Sequence, residues 1–283
     1  MTFSLRTGLL AAGVIIGGAL LSGCAGTGGT TATGASSVEF GHVHGLGVNP
    51  ADGARYVASH EGLFRVGPDG RAESVGPTRD LMGFTVVGPD TFLSSGHPGP
   101  DEDVPNPLGL AISRDAGRSW TPVSLSGEVD FHSLTTSSGT IFGYDSHGLL
   151  LVSADGGRSW QQRAALRALD IAVDPRSPQT VLATTETGVA TSRDGGQSFS
   201  PGNGMPLAYL SWPEPGSLYG LDTAGAVYAS SDGGATWNQV GAVPGGRPQA
   251  LTAIDQRQVL AATAGGVYES RDGGRTFAPI IRG

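Results

Sequence analysis

Side chains that can ligate a metal or transfer a proton are concentrated in one stretch of this 283-residue chain. All six histidines lie between positions 42 and 147, at His42, His44, His60, His97, His132 and His147. Met82, Asp80 and Asp130 lie in the same stretch. Imidazole with thioether suits copper, and imidazole with carboxylate suits zinc or another divalent ion. Such a site would form only if the fold brought these distant residues together.

The composition limits the class of protein. The 47 Gly and 18 Pro residues make up about a quarter of the chain, 38% of residues are hydrophobic and 15% are charged. This is too apolar for a disordered chain and too rich in helix breakers for a helical bundle. The net charge of −8 argues against a nucleic-acid partner. A single Cys excludes both an intrachain disulfide and a Cys-based zinc cluster.

An octapeptide of the form Ser-x-Asp-x-Gly-x-Ser/Thr-aromatic recurs five times. The copies begin 38 to 40 residues apart, at Ser113, Ser153, Ser192, Ser230 and Ser270, and residues 68–71 form a degenerate sixth copy. The Asp can accept backbone N–H bonds in a tight turn, Gly tolerates positive φ, and the terminal Trp or Phe can bury a large ring. We therefore interpret the octapeptide as a hairpin staple and assign no catalytic role to its Asp.

Short β-strand patterns fill the intervals between these octapeptides. The repeating units begin near Gly41, Asp80, Asp130, Ala168, Leu207 and Arg247. About 40 residues suit one four-stranded propeller blade, so the sequence predicts an all-β, six-bladed β-propeller over residues 38–283, with the octapeptides between third and fourth strands. The sequence does not decide which strand closes the ring; residues 37–40 could pair beside residues 277–281.

The octapeptide resembles the Asp-box, or BNR, repeat of sialidase-like and sortilin-like propellers. Segments 42–50, 80–90, 95–99 and 107–109 also resemble a family of bacterial secreted or lipid-anchored Asp-box proteins commonly labelled glycosylhydrolase or exo-α-sialidase-like. This resemblance spans the whole propeller and implies action on a glycan. A sialidase, however, needs an Arg cluster and a Tyr nucleophile with a Glu partner, and residues 43–48 stand where its Arg-Ile-Pro signature would be.

Candidate residues for a glycan site follow from that resemblance. The carboxylates available for general acid and base roles are Asp80, Asp130, Asp145 and Glu61. The residues available to bind a ligand carboxylate or ring are Arg79, Arg167, Arg247 and Tyr209. No Tyr–Glu pair is evident from spacing, so the sialidase set is incomplete.

The propeller geometry predicts where the histidines lie. In Asp-box propellers the boxes occupy one rim, and the other rim, where relatives bind ligands, is formed by the starts of inner strands and the ends of second strands. His42, His44 and His132 begin inner strands, whereas His60, His97 and His147 end second strands. Aligning the inner strands places His44, Met82 and His132 at one level. The predicted metal ligands, for copper or zinc, are His42, His44, Met82, His132, His60 and His97.

Three functions therefore stay open: an envelope glycosidase, a metal-binding propeller, and a scaffold that docks a glycan or protein. The insertion at residues 96–108 lies on the same rim, with four Pro residues and an acidic Asp101-Glu102-Asp103 run. It could form a lid over the channel mouth or a solvated surface excursion.

The amino-terminal residues predict an export signal. Arg6 precedes an apolar run over residues 9–21 that is short for a membrane span. The run ends in Leu-Ser-Gly-Cys24, which resembles a lipoprotein lipobox; a secretory signal with a chance Cys is the alternative. The resemblance implies a signal peptide over 1–23, a lipid on Cys24, a flexible tether over 24–37, and a monomer held at the extracytoplasmic face of the cell membrane.

Overall fold

The computed structural model describes residues 40–281. These residues form six antiparallel sheets and no helix. Each sheet is built from consecutive strands, with its first strand innermost. The innermost strands contact one another in sequence, and the first contacts the last. The predicted six-bladed β-propeller is therefore confirmed.

The strands of the six blades have the following bounds. Blade one contains β1 (Val43–Val48), β2 (Arg55–Ser59), β3 (Gly62–Val66) and β4 (Ala72–Val75). Blade two contains β5 (Asp80–Gly88), β6 (Thr91–His97), β7 (Leu110–Ser113) and β8 (Thr121–Ser124). Blade three contains β9 (Phe131–Ser137), β10 (Thr140–Asp145), β11 (Leu149–Ser153) and β12 (Gln161–Ala165). Blade four contains β13 (Ala168–Asp174), β14 (Ser177–Thr185) and β15 (Gly188–Ser192). Blade five contains β16 (Leu207–Glu214), β17 (Ser217–Asp222), β18 (Ala226–Ser230) and β19 (Asn238–Ala242). Blade six contains β20 (Pro248–Ala253), β21 (Val259–Thr263), β22 (Gly266–Ser270) and β23 (Ala278–Pro279).

Blade four departs from the predicted four strands because its outer edge is irregular. The segment after its Asp box contains Pro201 and Pro206, and proline has no N–H to donate to a ladder. Isolated bonds hold this segment instead, including Ser200 N–H to the Thr191 carbonyl at 2.9 Å. The blade thus has three strands.

The apolar core lies between blades. Six buried clusters occupy the six junctions of the ring. At the junction of blades three and four, for example, Phe142 and Leu150 pack with Ile171 and Val181. Burying each such side chain contributes about 1.5–3 kcal/mol. Some strand glycines leave room for buried aromatic side chains: a Cβ on Gly143 would lie 2.4 Å from the Phe131 ring.

The Asp boxes are hairpin staples, as their residue pattern predicts. In blade three, Ser153 Oγ donates to Asp155 Oδ1 at 2.8 Å and accepts from Gly157 N–H at 2.9 Å. Asp155 Oδ1 also accepts from Ser159 N–H at 2.9 Å, and these bonds hold the pKa of Asp155 well below its usual range. The Trp160 indole donates to Ser124 Oγ. The same network recurs in the other boxes.

Among residues 40–281, the ring closes by side-chain contacts, without exchange of a strand between blades one and six. Thr252 Oγ1 donates to the Leu46 carbonyl at 3.0 Å, and Arg55 pairs with buried Glu269 at 2.8 Å. Phe40 lies outside a strand and packs on the Phe64 ring, with centroids 5.0 Å apart. Residues 37–39 lie outside the described residues, so their pairing beside residues 277–281 stays a prediction.

Residues 40–281 contain no helix of the length and hydropathy needed to cross a bilayer. The predicted signal peptide, Cys24 and the tether lie outside the described residues, so their assignments stay predictions.

Candidate metal centre

The six histidines lie at one rim of the propeller, which we call the histidine rim. The pairing of Val43 with Ser59 sets the start of β1 beside the end of β2, and Asp80 pairs likewise with His97. The Asp boxes lie at the opposite rim: Ala116 N–H donates to the carbonyl of Asp90, in the turn at the far end of β5. The Asp-box turns and the histidines thus lie at opposite rims.

Two imidazoles and a carboxylate converge where blades one and two meet. His44 Nε2 lies 3.2 Å from His60 Nε2 and 3.9 Å from Asp80 Oδ1. His60 Nδ1 lies 2.9 Å from Asp80 Oδ2, and a carboxylate only accepts, so His60 carries its proton on Nδ1. The Nε2 lone pair of His60 therefore faces His44.

The spacing of these atoms fits a metal-ligand set. One ligand atom from each of His44, His60 and Asp80 lies within 4.8 Å of the others. In a tetrahedral site with 2.0–2.1 Å bonds, ligand nitrogens are about 3.3 Å apart, close to the spacing of the two imidazoles. Asp80 Oδ1 is buried and has no hydrogen-bond partner among the described residues. The His42 ring lies 4.7 Å from that of His44 and is a neighbouring fourth donor.

The surroundings of His44 and His42 favour the neutral form of these two imidazoles. Burial, followed by the charges of His42, His60 and His132, lowers the pKa of His44 to about 3. Burial and the charges of His60 and Arg247 also lower the pKa of His42. Neutral imidazole is the form that binds a metal, so protons compete weakly for these nitrogens near neutral pH.

A second group of similar residues lies where blades two and three meet. His132 Nε2 is 2.8 Å and His97 Nε2 is 3.5 Å from Asp130 Oδ2. The hydrogen bond to Asp130 raises the pKa of His132. Asp130 Oδ1, like Asp80 Oδ1, is buried without a partner among the described residues.

These clusters stand at the mouth of an axial channel. The inner strands of all six blades line a cavity of about 450 Å³, to which His44, His132, Leu169 and Tyr209 contribute. Leu169 is 64% exposed, which is unusual for a large apolar side chain. The channel gives a small ligand access to the rim residues from inside the ring.

Asp170, in the channel wall, is a residue that the sequence analysis missed. Its carboxylate accepts bonds from Ser133 Oγ at 2.7 Å, Ile171 N–H at 2.9 Å and Leu210 N–H at 2.9 Å, linking blades three, four and five. Burial raises the pKa of Asp170 to about 6, against the effect of these bonds. The signal in the sequence is an acidic residue in the middle of the otherwise apolar strand β13, whose other acidic residue, Asp174, stands at its end.

The three arginines considered for a ligand carboxylate are not brought together by any contact among residues 40–281. Arg79 is paired with Glu102 of the insertion, with Nε–Oε2 and Nη2–Oε1 distances of 2.7 Å. Arg167 and Arg247 are exposed on blades four and six. The charge of Arg247 lowers the pKa of His42, and burial raises the pKa of Tyr209, which lies in the channel wall.

The remaining candidates occupy less distinctive positions. Asp145 Oδ1 accepts from the N–H groups of His147 and Leu149, as Asp222 does from the matching turn of blade five, so both carboxylates cap a turn. Glu61 is exposed in the turn between β2 and β3. Met82 is partly buried, beside a register shift between Leu81 and Phe84, and no described contact joins it to a histidine cluster.

No protein-family model matches the chain, and no curated protein matches its sequence. Solved propeller structures do match it. An ancestral GH74 enzyme is 18% identical over 81% of this chain and 36% of its own, with a TM-score of 0.55. The GH74 xyloglucanase of Xanthomonas campestris is 18% identical over 86% of this chain and 46% of its own, with a TM-score of 0.53. YCF48 from Cyanidioschyzon merolae is 16% identical over 84% of each chain, with a TM-score of 0.52.

The chain spans less than half the length of these GH74 enzymes, and at such identities the likeness shows the propeller fold alone. Function must therefore be argued from the rim residues themselves.

Proposed function

We propose that the chain is a lipid-anchored, extracytoplasmic β-propeller that binds a divalent transition-metal ion at the histidine rim, with His44, His60 and Asp80 as ligands. The observation that carries the proposal is the convergence of these three side chains around the unpartnered Asp80 Oδ1. A buried acceptor without a partner costs about 1–3 kcal/mol, and coordination of a cation would recover that cost.

The fold itself does not require these residue types. Blades four, five and six begin their inner strands with the same backbone path, yet they carry Leu169, Ala208 and Gln249 at the level of His44. Their rim positions form no comparable cluster of imidazole and carboxylate among the described residues. The His44–His60–Asp80 set is therefore an addition to the scaffold, as expected of a binding site.

The donor set indicates which ions would bind. Two imidazoles and one carboxylate suit zinc and copper(II), and His42 could supply a further nitrogen. The general order of affinities for such ligands places copper(II) above zinc. Met82 is not needed for this set.

Glycoside hydrolysis is the second candidate function. It is favoured by the rim carboxylates Asp80 and Asp130, which each keep one buried oxygen that no group within residues 40–281 hydrogen-bonds. A glycosidase needs one carboxylic acid and one carboxylate flanking the scissile bond. Turnover of any member of a panel of fluorogenic glycosides, abolished in both Asp80→Asn and Asp130→Asn, would favour this reading.

The metal proposal can be tested by titration of the full-length chain, purified without a metal-affinity tag and stripped with EDTA. We expect calorimetry with Zn²⁺ and Cu²⁺ to show saturable binding. His44→Ala/His60→Ala should remove the ion bound at this cluster. His147→Ala is the matched control, because the His147 side chain is 77% exposed and its imidazole lies 3.7 Å from Asp145, outside the His44–His60–Asp80 cluster. Equal binding by the double variant and the wild type would refute the proposal.

The anchor is tested separately. Cys24→Ser should release the protein from the membrane fraction and remove the lipid-dependent mass increase of its amino-terminal peptide. Release without any change in mass would refute the lipid assignment while leaving the metal site unaffected.

A further inference from the structure

His132 and Asp130 form a hydrogen-bonded pair with the chemistry of a general base. His132 Nε2 lies 2.8 Å from Asp130 Oδ2, and a carboxylate only accepts, so the imidazole carries its proton on Nε2. The lone pair is therefore on Nδ1, which no group within residues 40–281 hydrogen-bonds. The side chain of His132 is 39% exposed and lines the axial channel, whereas that of Asp130 is 10% exposed. An imidazole oriented by a buried carboxylate and open to a channel can take a proton from a molecule bound there.

The charges around His132 increase its basicity and connect it to the His44–His60–Asp80 cluster. The hydrogen bond to Asp130 raises the pKa of His132, and burial opposes this rise. The charges of Asp80 and Asp145 add to the rise. After burial, the charge of His132 is among the causes that lower the pKa of His44. The general base and the metal ligands therefore interact electrostatically.

Two glycines let the inner strands of blades one, two and three approach closely at this end of the channel. A Cβ on Gly45, the residue after His44, would lie 2.8 Å from a side-chain atom of blade two. A Cβ on Gly83 of blade two would lie 2.6 Å from the carbonyl oxygen of Phe131, the residue before His132. Both imidazoles line the same cavity of about 450 Å³. A small molecule bound to an ion at His44 would therefore occupy the space onto which His132 also opens.

The metal cluster leaves a position for a reacting ligand. It supplies three protein ligands, and a zinc ion with three protein ligands keeps a fourth position for water or substrate. Water bound to such an ion has a pKa of about 7, so it is a nucleophile at neutral pH once a base removes its proton.

The lining of the channel indicates which substrate fits. Leu169 of blade four is 64% exposed and lines the cavity, as does Tyr209 of blade five, so these blades offer an apolar surface to a ligand. On the histidine side, the carboxylates of Asp80 and Asp130 disfavour an anion. The lining therefore favours an uncharged molecule with a carbonyl group at the ion and an apolar group against Leu169.

We infer that the channel mouth hydrolyses a small uncharged carboxylic ester or lactone, with His132 as the general base and Asp130 as the residue that positions it. The inference rests on the proposed function for the ion that binds the attacking water. His132 Nδ1 takes a proton from that water as the water oxygen bonds to the ester carbonyl carbon. His132 then gives the proton to the leaving oxygen as the ester C–O bond breaks, so the products are a carboxylic acid and an alcohol.

The test is turnover of phenyl acetate and δ-valerolactone by the full-length chain, stripped with EDTA and reloaded with Zn²⁺, with proton release measured at constant pH. We expect turnover that EDTA abolishes. His132→Ala should lower kcat/KM about 10²- to 10⁴-fold and leave Zn²⁺ binding by calorimetry unchanged. His147→Ala should keep full activity, because the His147 side chain is 77% exposed and lies beside Asp145 instead of Asp130. Thermal unfolding in EDTA checks that every variant is folded.

Asp130→Asn tests the positioning role through the pH profile. The variant should lower kcat, and it should also move the lower limb of the profile to lower pH, because Asp130 raises the pKa of His132 in the wild type. A merely structural defect would lower activity without moving that limb. An unchanged midpoint would therefore overturn the role of Asp130.

The outcomes separate the two proposals. Zn²⁺ binding that requires His44 and His60, without turnover of either substrate or with turnover that survives His132→Ala, would overturn the inference and leave the proposed function standing. Turnover that is lost in His132→Ala but persists in EDTA and in His44→Ala/His60→Ala would support the general base and overturn the role of the ion. The absence of both binding and turnover would overturn both proposals.

Discussion

The carboxylate of Asp170 differs in its contacts from those of Asp80 and Asp130, although all three lie at inner strands. Both oxygens of Asp170 accept protein hydrogen bonds, and these bonds join three blades. Asp80 and Asp130 each hold one oxygen against a histidine and keep the other buried without a partner among the described residues. A carboxylate whose oxygens are both satisfied by the protein stabilises the ring, whereas one with a free oxygen is available for a ligand.

The same contrast separates the two rims. The rim that carries the Asp boxes, which we call the box rim, repeats one hydrogen-bond network around the propeller. Its residues therefore stabilise the fold. The histidine rim carries its imidazoles on blades one to three only. Changes at the box rim should therefore lower the free energy of unfolding, and changes at the histidine rim should alter ligand binding.

The largest expected effect is at Gly157, in the box of blade three. Its φ is +86°, and a Cβ there would lie 2.2 Å from Leu110 Cδ2. Gly157→Ala combines left-handed strain with overpacking and should lower the free energy of unfolding by about 4 kcal/mol in urea denaturation. Gly156→Ala is the control, because its φ is +77° but the nearest atom is 3.9 Å away. It should cost about 1 kcal/mol; equal losses in the two variants would contradict the role of the Leu110 contact.

The next largest expected effect is a pH dependence of the free energy of unfolding, caused by Asp170. Its pKa is about 6 in the folded chain against an ordinary value of 3.8, so the folded state binds the proton more tightly. This contribution is fully present below about pH 4 and is lost as the pH rises through 6, a change of about 3 kcal/mol. Asp170→Asn lacks the titration, so the difference in unfolding free energy between wild type and variant should change across that range. A constant difference from pH 4 to pH 8 would show that burial does not shift this carboxyl.

The fold could be predicted from the sequence because its signals are local. Each Asp box specifies its own turn, and the repeated spacing sets the blades: β5, β13 and β16 begin at the predicted residues Asp80, Ala168 and Leu207. The missing fourth strand of blade four was not predicted, because the repeat length is preserved even though Pro201 and Pro206 prevent regular pairing.

The details of the site were harder to predict because they depend on register. Each inner strand has a register shift near the histidine rim, such as that between Val43 and Gly45 in β1. A shift of one residue moves a side chain to the other face, so aligned levels such as His44, Met82 and His132 do not describe the clusters. The structure instead pairs His44 with His60 of the same blade and Asp80 of the next. Which carboxylate oxygens lack a partner cannot be read from a sequence at all.

A smaller effect is expected in the Asp box of blade five, in the half of the propeller that carries no histidine. Ser230 Oγ is buried, donates to Asp232 Oδ1 at 2.8 Å and accepts from Gly234 N–H at 2.9 Å. Ser230→Ala leaves that N–H without its acceptor and should cost about 1–2 kcal/mol in thermal or urea unfolding. The adjacent Ser231 is exposed, so Ser231→Ala should change the free energy by less than about 0.5 kcal/mol. A loss at Ser231 as large as that at Ser230 would contradict the staple.

The smallest effect on stability should be at the histidine rim. The His60 side chain is 44% exposed and its contact with His44 lies at the surface, so His60→Ala in EDTA should stay within about 0.5 kcal/mol of the wild type. Added Zn²⁺ should then separate the two proteins, because an ion that binds only the folded state raises its stability by an amount that grows with ion concentration. The melting temperature of the wild type should rise more than that of His60→Ala. A variant that is strongly destabilised in EDTA would instead show that the rim histidines stabilise the fold itself, and the division between a structural rim and a binding rim would then be wrong.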